Sequence, residues 1–190
     1  MIEFKQVDTS HLEQYNKIPM KVQVKSHYVL EKIDGGMGGI LLQEVPENEY
    51  VKDLGSSAEL SKINDLFDVS NWAFFMAFDG EKAVAGGTVA SKTQGLKMLD
   101  GRNDLAVLWD IRVEDDYKRQ GIGETIFKMA INWARKAGLK QLKIECQNNN
   151  VPAIRFYQKQ GAVLCSIDEF AYYNDRDYGN EVQLIWYLDL

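Results

Sequence analysis

The sequence predicts a mixed α/β fold, an α+β or α/β sheet with helices packed on it, and three observations predict it. Ile122, Ile126, Met129, Ala130, Trp133 and Ala137 recur at the spacing of one helix face. NWAFFMAF, LAVLWDIRV and EVQLIWYLDL carry the apolar and aromatic content of strands. The helical stretch is entered through a glycine-bearing turn after one such strand and is followed by another, LKQLKIECQ.

In chain order, KVQVKSHYVLEKI alternates as a strand does, DGGMGG reads as a flexible turn, and ILLQEV is a candidate second strand. The glycines between Gly35 and Gly39 invite a phosphate-loop reading, but no Gly-Lys-Ser/Thr ends the run and no helical pattern follows, so a plain loop is the better reading. SSAELSKINDLF opens on Ser56 with Glu59 three residues on, the capping-box spacing that starts a helix. NWAFFMAF, an Asp79–Gly80 turn and EKAVAGGTVAS read as a hairpin. LAVLWDIRV is apolar enough for a central strand, yet Asp110 and Arg112 interrupt it. Gly138 is placed to close the long helix. After NNNV, Pro152 opens a short helix, PAIRFYQKQ, that Gly161 ends. AVLCSIDEFAYY and EVQLIWYLDL close the chain as strands around NDRDYGN.

A length of 190 residues at 45% hydrophobic content suits a single domain, 1–190. A net charge of −6 offers no diffuse attraction to nucleic acid or to a membrane surface; a small cationic partner suits the sign better. MIEFKQVDTS lacks the features of a signal peptide, and no run approaches the roughly 20 apolar residues of a membrane span, so a cytoplasmic location is expected. Two cysteines, Cys146 and Cys165, and two histidines, His11 and His27, are too few for a disulfide framework, a nucleophilic triad or a metal site, and no metal is expected.

Gly121 and Gly123 stand at the mouth of the long helix, just after Lys118, Arg119 and Gln120. Glycine costs a helix roughly 0.8–1 kcal/mol against alanine, so a bare backbone there has a use. Backbone N–H groups converging at the positive end of the helix dipole bind anions, and glycine lets a bulky diphosphate approach. The plainer alternative is an ordinary strand–helix connection with small residues for close packing.

YKRQGIG resembles the acetyl-CoA signature of the GNAT N-acetyltransferases, Arg or Gln, two residues, Gly, one residue, Gly or Ala. Lys118 takes the Arg/Gln position, and Arg119 stands where many members carry glycine. Further on, NNNVPAIRFYQKQGA is similar to the family's second signature, with Asn150, Ala153, Tyr157 and Gly161 in register and Ala162 in place of the usual Phe. The likeness covers about Trp72 to Leu190. It implies the GNAT acyl-CoA N-acyltransferase fold, a central mostly antiparallel sheet with a splayed parallel strand pair flanked by helices. QGIG, INWARKAGL, ECQNNNVPAIRFYQKQGA and VQLIWYLDL together are similar, more narrowly, to the streptothricin acetyltransferases, which acetylate an amine of the antibiotic's β-lysine arm.

The resemblance implies acetyl-CoA as cosubstrate, with the backbone of Arg119, Gln120, Gly121, Ile122, Gly123 and Glu124 on the pyrophosphate and Lys118 beside it. Ile111, Arg112 and Val113 would pair with the pantetheine arm like an added strand, Val113 N–H would face the developing oxyanion, and Asn150 would bond the cofactor's arm or simply cap its helix. An amine near pKa 10.4 must lose a proton before it attacks, and Asp110 and Glu145, which the family fold places side by side, are the candidate bases and acceptor ligands. Tyr157 resembles the family's general acid. Asp168, Glu169, Asp175, Asp177, Tyr172, Tyr173 and Tyr178 form an acidic, aromatic stretch suited to a polycation, or a solvated loop; Asp168 and Tyr172 are the substrate candidates. The expected reaction is direct transfer in a ternary complex to the amine of streptothricin. The alternatives are another amine, a polyamine, aminoglycoside or protein amine, or a silent acetyl-CoA-binding sensor. A homodimer paired through the C-terminal strands is compatible with the pattern.

Overall fold

The computed structural model describes residues 1–55 and 59–190. Its elements are β1 (Ile2–Val7), α1 (Leu12–Asn16), β2 (Lys21–Ile33), β3 (Gly39–Asp53), α2 (Ile63–Leu66), β4 (Ala73–Asp79) and β5 (Lys82–Ser91). They continue with β6 (Leu105–Val113), α3 (Ile122–Lys136), β7 (Gln141–Gln147), α4 (Val151–Lys159), β8 (Val163–Asp168) and β9 (Gln183–Asp189). Contacts divide the chain into two compact units, one of Met1–Lys21, Asp53–Ile144 and Tyr187–Leu190, the other of Val22–Lys52 and Glu145–Trp186.

In the first unit, β1 pairs with β4, β4 with β5 and β5 with β6, all antiparallel, and β6 pairs with β7 in parallel. This is the mixed α/β class expected from the sequence. The Asp79–Gly80 step makes the β4–β5 hairpin, with Gly80 at φ +59, and Asp79 pairs with Lys82. Phe74, Met76 and Phe78 join Leu12, Tyr15, Ile18, Leu60, Ile63 and Trp72 in one core cluster. α3 buries Ile122, Ile126 and Ala130 of the expected stripe together with Phe127 and Ala134, while Met129 and Trp133 are half-buried and Ala137 is exposed, so the buried face is rotated from the one the spacing predicts; Gly138 follows the helix at φ +74.

Gly86 and Gly87 let a helix side chain in on each face of β5. A Cβ on Gly86 would stand 2.3 Å from the Tyr15 ring, and one on Gly87 would stand 2.4 Å from Ile126 Cγ2. Successive strand residues face opposite ways, so one glycine accommodates α1 and its neighbour accommodates α3.

Ser56, the first residue of the expected capping box, lies outside the described residues. The stretch after it is shorter than a full helix, one 3-10 turn over Leu60–Lys62 followed by α2, and Glu59 makes no side-chain cap bond.

In the second unit, β2 and β3 form a two-stranded hairpin, and β3 runs well past the ILLQEV stretch that the sequence marked. The end of β7, β9 and β8 are neighbouring strands in that order. Asn148 ties the hairpin in. Its Nδ2 donates to Tyr28 O at 2.8 Å and its backbone O accepts from Tyr28 N at 3.0 Å, while its Oδ1 accepts from Val182 N at 2.9 Å. α4 carries proline in its first turn, as the sequence predicts.

Candidate functional site

The candidate residues lie in both units and are taken one unit at a time. In the first, the β5–β6 register slips between Thr88 and Val89, because Thr88 faces Asp110 and Val89 faces Leu108. Trp109 is therefore the extra residue of a β-bulge, and a bulge bends its strand and alters its twist. The parallel ladder with β7 covers Leu105–Leu108 and ends at that point. Beyond it Ile111, Arg112 and Val113 stay paired to Gly87, Gly86 and Ala85 of β5. The strand that the resemblance assigns to an added extended ligand thus carries a ladder on its β5 side.

The turn after β6 reaches α3 through Arg119 at φ +61 and Gly121 at φ +82. Both lie in the left-handed region, which explains glycine at 121 and gives a reason why glycine would serve at 119. Gly121 is the N-cap of α3 and supplies no side-chain cap, leaving the first-turn N–H groups to a backbone-facing partner. A Cβ on Gly121 would meet nothing within 4 Å, so its conformation rather than crowding selects glycine there. At Gly123 a Cβ would stand 3.3 Å from Val113 Cγ2.

The cations beside this turn are not equivalent. Lys118 Nζ donates to Lys21 O at 2.7 Å and pairs with Asp115 at 2.6 Å, holding the turn to the end of the N-terminal segment. Arg119 is exposed. Gln120 Nε2 donates to Asp116 O at 2.9 Å.

Asp110, a candidate base, is buried, with 3% of its side chain exposed. Arg112 Nε donates to its Oδ1 at 3.0 Å, Arg112 Nη2 binds its Oδ2, and the Tyr15 hydroxyl donates to Oδ1 at 2.8 Å. Arg112 Nη1 donates to Ile18 O at 3.2 Å, and its guanidinium lies 5.1 Å from the Tyr15 ring centroid. Burial and the Asp110 charge push the Tyr15 hydroxyl well above its ordinary pKa, so it remains a donor. The geometry therefore places Asp110 in a buried ion pair, with both of its oxygens partnered. Tyr15 and the Arg112 side chain are the residues that sequence reading missed; an arginine two residues from an aspartate on one strand shares its face, which is the signal that could have found the pair.

In the second unit, Glu145 is half-buried, and its Oε1 accepts from the Tyr172 hydroxyl at 2.5 Å. Gln147 Nε2 donates to that hydroxyl at 3.4 Å. Tyr157 is buried on α4 with its ring against Phe156, at 5.5 Å between centroids. Asn150 caps α4, its Oδ1 accepting from Ala153 N at 3.3 Å, so the plain cap holds whatever else it contacts.

The acidic loop is largely committed to itself. Asp168 Oδ1 accepts from Phe170 N at 2.8 Å, and Asp175 Oδ1 accepts from Asp177 N and Tyr178 N. Glu169 pairs with Lys32. Of the two substrate candidates in this stretch, Tyr172 reaches Glu145 and Asp168 builds a turn. Lys52 and Glu181, which the sequence did not single out, form an ion pair with 7% and 12% of their side chains exposed, and Asn149 Nδ2 donates to Glu181 at 2.9 Å. Burial pushes the Cys146 thiol up to about 12. Among the described residues no cluster of three or more His, Cys, Asp and Glu could hold a metal ion, and no helix is long and apolar enough to cross a membrane.

Streptothricin acetyltransferase A of Bacillus subtilis (strain 168) is 32% identical over 92 residues, 48% of this chain and 53% of the relative. An Escherichia coli streptothricin acetyltransferase is 35% identical over 85 residues, 45% of this chain and 49% of the relative. The chain thus spans about half the length of these two relatives. A Bacillus anthracis str. Ames structure, described as a streptothricin acetyltransferase in complex with acetyl coenzyme A, superposes with a TM-score of 0.78 at 22% identity, covering 100% of this chain and 98% of that one. That likeness establishes the fold. Residues 41–162 match the model of the Acetyltransferase (GNAT) family, which takes in the bulged strand, the glycine turn and α4, and the chain belongs to that family.

Proposed function

We propose that this protein is an acetyl-CoA-dependent N-acetyltransferase acting on an amine of a small cationic molecule, with the β-lysine arm of streptothricin as the leading acceptor. The observation that carries the reading is the uncapped start of α3, opened by Gly121 at φ +82 directly after a strand whose parallel ladder stops at the Trp109 bulge. An uncapped helix start suits a diphosphate, and a strand edge suits an amide-rich arm. The relatives named streptothricin acetyltransferases support the choice of acceptor.

Acetyl-CoA supplies an acetyl group activated as a thioester. Arg119, Gln120, Gly121, Ile122, Gly123 and Glu124 bind its pyrophosphate through backbone N–H groups, with the Arg119 side chain adding charge and Lys118 holding the turn in shape. Ile111 to Val113 align its arm, and Val113 N–H donates to the carbonyl oxygen as negative charge develops there. Glu145 receives the proton of the acceptor ammonium, directly or through water, and the freed amine nitrogen forms the new C–N bond as the C–S bond breaks. Tyr157 donates a proton to the departing thiolate. Asp110 is assigned the bracing of β6, since its oxygens are engaged by Arg112 and Tyr15.

Thiol release from acetyl-CoA, measured with streptothricin, spermidine, an aminoglycoside and free lysine in parallel, tests the reading. Rapid release with streptothricin at micromolar concentration is the expected result. Release with another amine alone moves the acceptor, and no release with any of them, despite acetyl-CoA binding, overturns the enzyme reading in favour of a sensor.

A further inference from the structure

Glu145 has one carboxylate oxygen fixed and the other open. Its Oε1 is held by the Tyr172 hydroxyl at 2.5 Å, and no partner of its Oε2 occurs among the described residues. The Tyr172 hydroxyl receives Gln147 Nε2 at 3.4 Å, so its hydrogen is directed at Glu145 and its oxygen is already oriented. Burial and the Glu145 charge raise the Tyr172 pKa, which keeps that hydrogen in place.

The loop that carries Tyr172 is built to hold it. Asp168 and Asp175 fold the turns on either side, their carboxylates accepting from the backbone N–H groups of Phe170 and of Asp177 and Tyr178. Glu169 is tied to Lys32 near the end of β2, and Glu181 to Lys52 near the end of β3. Lys52 Nζ also lies 4.5 Å from the Tyr178 ring centroid. Two ion pairs on opposite strands of the hairpin thus bracket the segment that orients Glu145. A loop of this length without such ties would leave a tyrosine free to leave its partner.

We propose that Tyr172 is a positioning residue for Glu145, and that the pair forms the recognition group for a primary ammonium on a flexible chain. Glu145 Oε2 accepts an N–H of the ammonium, and Tyr172 keeps the carboxylate in the one orientation that presents it. This deepens the functional reading above and rests on it for the identity of the acceptor.

A double-mutant cycle tests the inference, with steady-state constants measured for both substrates in wild type, Tyr172→Phe, Glu145→Gln and the double variant. Tyr172→Phe keeps the ring and its packing. It is expected to raise the acceptor KM about tenfold, the loss of one charge-assisted hydrogen bond, with the KM for acetyl-CoA changed less than about twofold. In the Glu145→Gln background the same change should raise the acceptor KM by less than about twofold, because there is no carboxylate left to orient. Tyr173→Phe, on an exposed neighbour, should change nothing. An acceptor KM unchanged in Tyr172→Phe, or a rise of equal size in both backgrounds, overturns the inference. If the wild type acetylates none of streptothricin, spermidine and lysine, the catalytic reading fails; in that case, or where Glu145→Gln has no measurable turnover, calorimetric titration of spermidine and streptothricin into the same four proteins decides the recognition group separately: weaker binding by Tyr172→Phe only where Glu145 is intact supports it, and equal binding by all four overturns it.

Discussion

Tyr15 donates its hydroxyl to Asp110 Oδ1 across 2.8 Å, although 95 residues separate them in the chain. The bond joins the short helix α1 to the strand just beyond the Trp109 bulge, and Arg112 completes it from the same strand face. Breaking the pair from one side leaves a charge uncompensated in the interior. Asp110→Ala should therefore lower unfolding stability by about 3–5 kcal/mol, and Tyr15→Phe, which removes one bond to a charged group, by about 1.5–3 kcal/mol. Urea denaturation of the two variants checks this. An Asp110→Ala protein as stable as wild type would return Asp110 to the list of open catalytic groups.

Space for that hydrogen bond depends on Gly86. A Cβ there would stand 2.3 Å from the Tyr15 ring, and Tyr15 is fully buried, so the ring cannot swing into solvent. Gly86→Ala should cost about 1–3 kcal/mol through overpacking, and it should be less than additive with Tyr15→Ala, which clears the clash. Thermal unfolding of the two single variants and the double variant measures the coupling.

The sequence made the fold legible where local periodicity and burial agree. The α3 helix, the Asp79–Gly80 hairpin and the proline-led α4 are read from neighbours in the chain, and each forms near its predicted bounds. The turn around Gly121 was legible because a positive φ restricts residue choice. What periodicity could not reveal was pairing over long separations. Asp110 stood out as a carboxylate in an apolar strand, but its partner Tyr15 lies on a short helix in the least patterned part of the chain. Lys52 and Glu181, 129 residues apart, look like ordinary surface charges until β3 and the loop before β9 bring them together. In the acidic loop Asp168 and Asp175 serve turn N–H groups, a local use that composition alone does not distinguish from a ligand site.

Gly121 separates backbone geometry from side-chain space. Its φ of +82 lies where a Cβ costs roughly 1–2 kcal/mol, yet a methyl group would meet no neighbour within 4 Å. Gly121→Ala should therefore fold with a small stability loss while re-aiming the first N–H groups of α3. Acetyl-CoA affinity should fall about tenfold or more by calorimetry, with a smaller effect for Arg119→Ala, whose side chain adds charge from an exposed position. Unchanged affinity in Gly121→Ala would remove this turn from the cofactor site.

Cys146 and Cys165 should differ sharply in reactivity. Cys146 is buried with its thiol pushed up to about 12, chiefly by desolvation, while Cys165 is exposed on β8. In native protein near pH 8 a thiol reagent should modify Cys165 and leave Cys146 until the chain unfolds. The same shift makes a pH statement. The unfolded thiol titrates near its ordinary value of 9.0 and the folded one near 12, so between them the unfolded state binds fewer protons, and this group's contribution is present below 9.0 and lost on rising through 12. Relative to Cys146→Ala, wild type should lose stability across that window with a slope of at most about 1.4 kcal/mol per pH unit. Parallel stability curves for the two proteins from pH 8 to 11 would contradict the buried thiol assigned to Cys146.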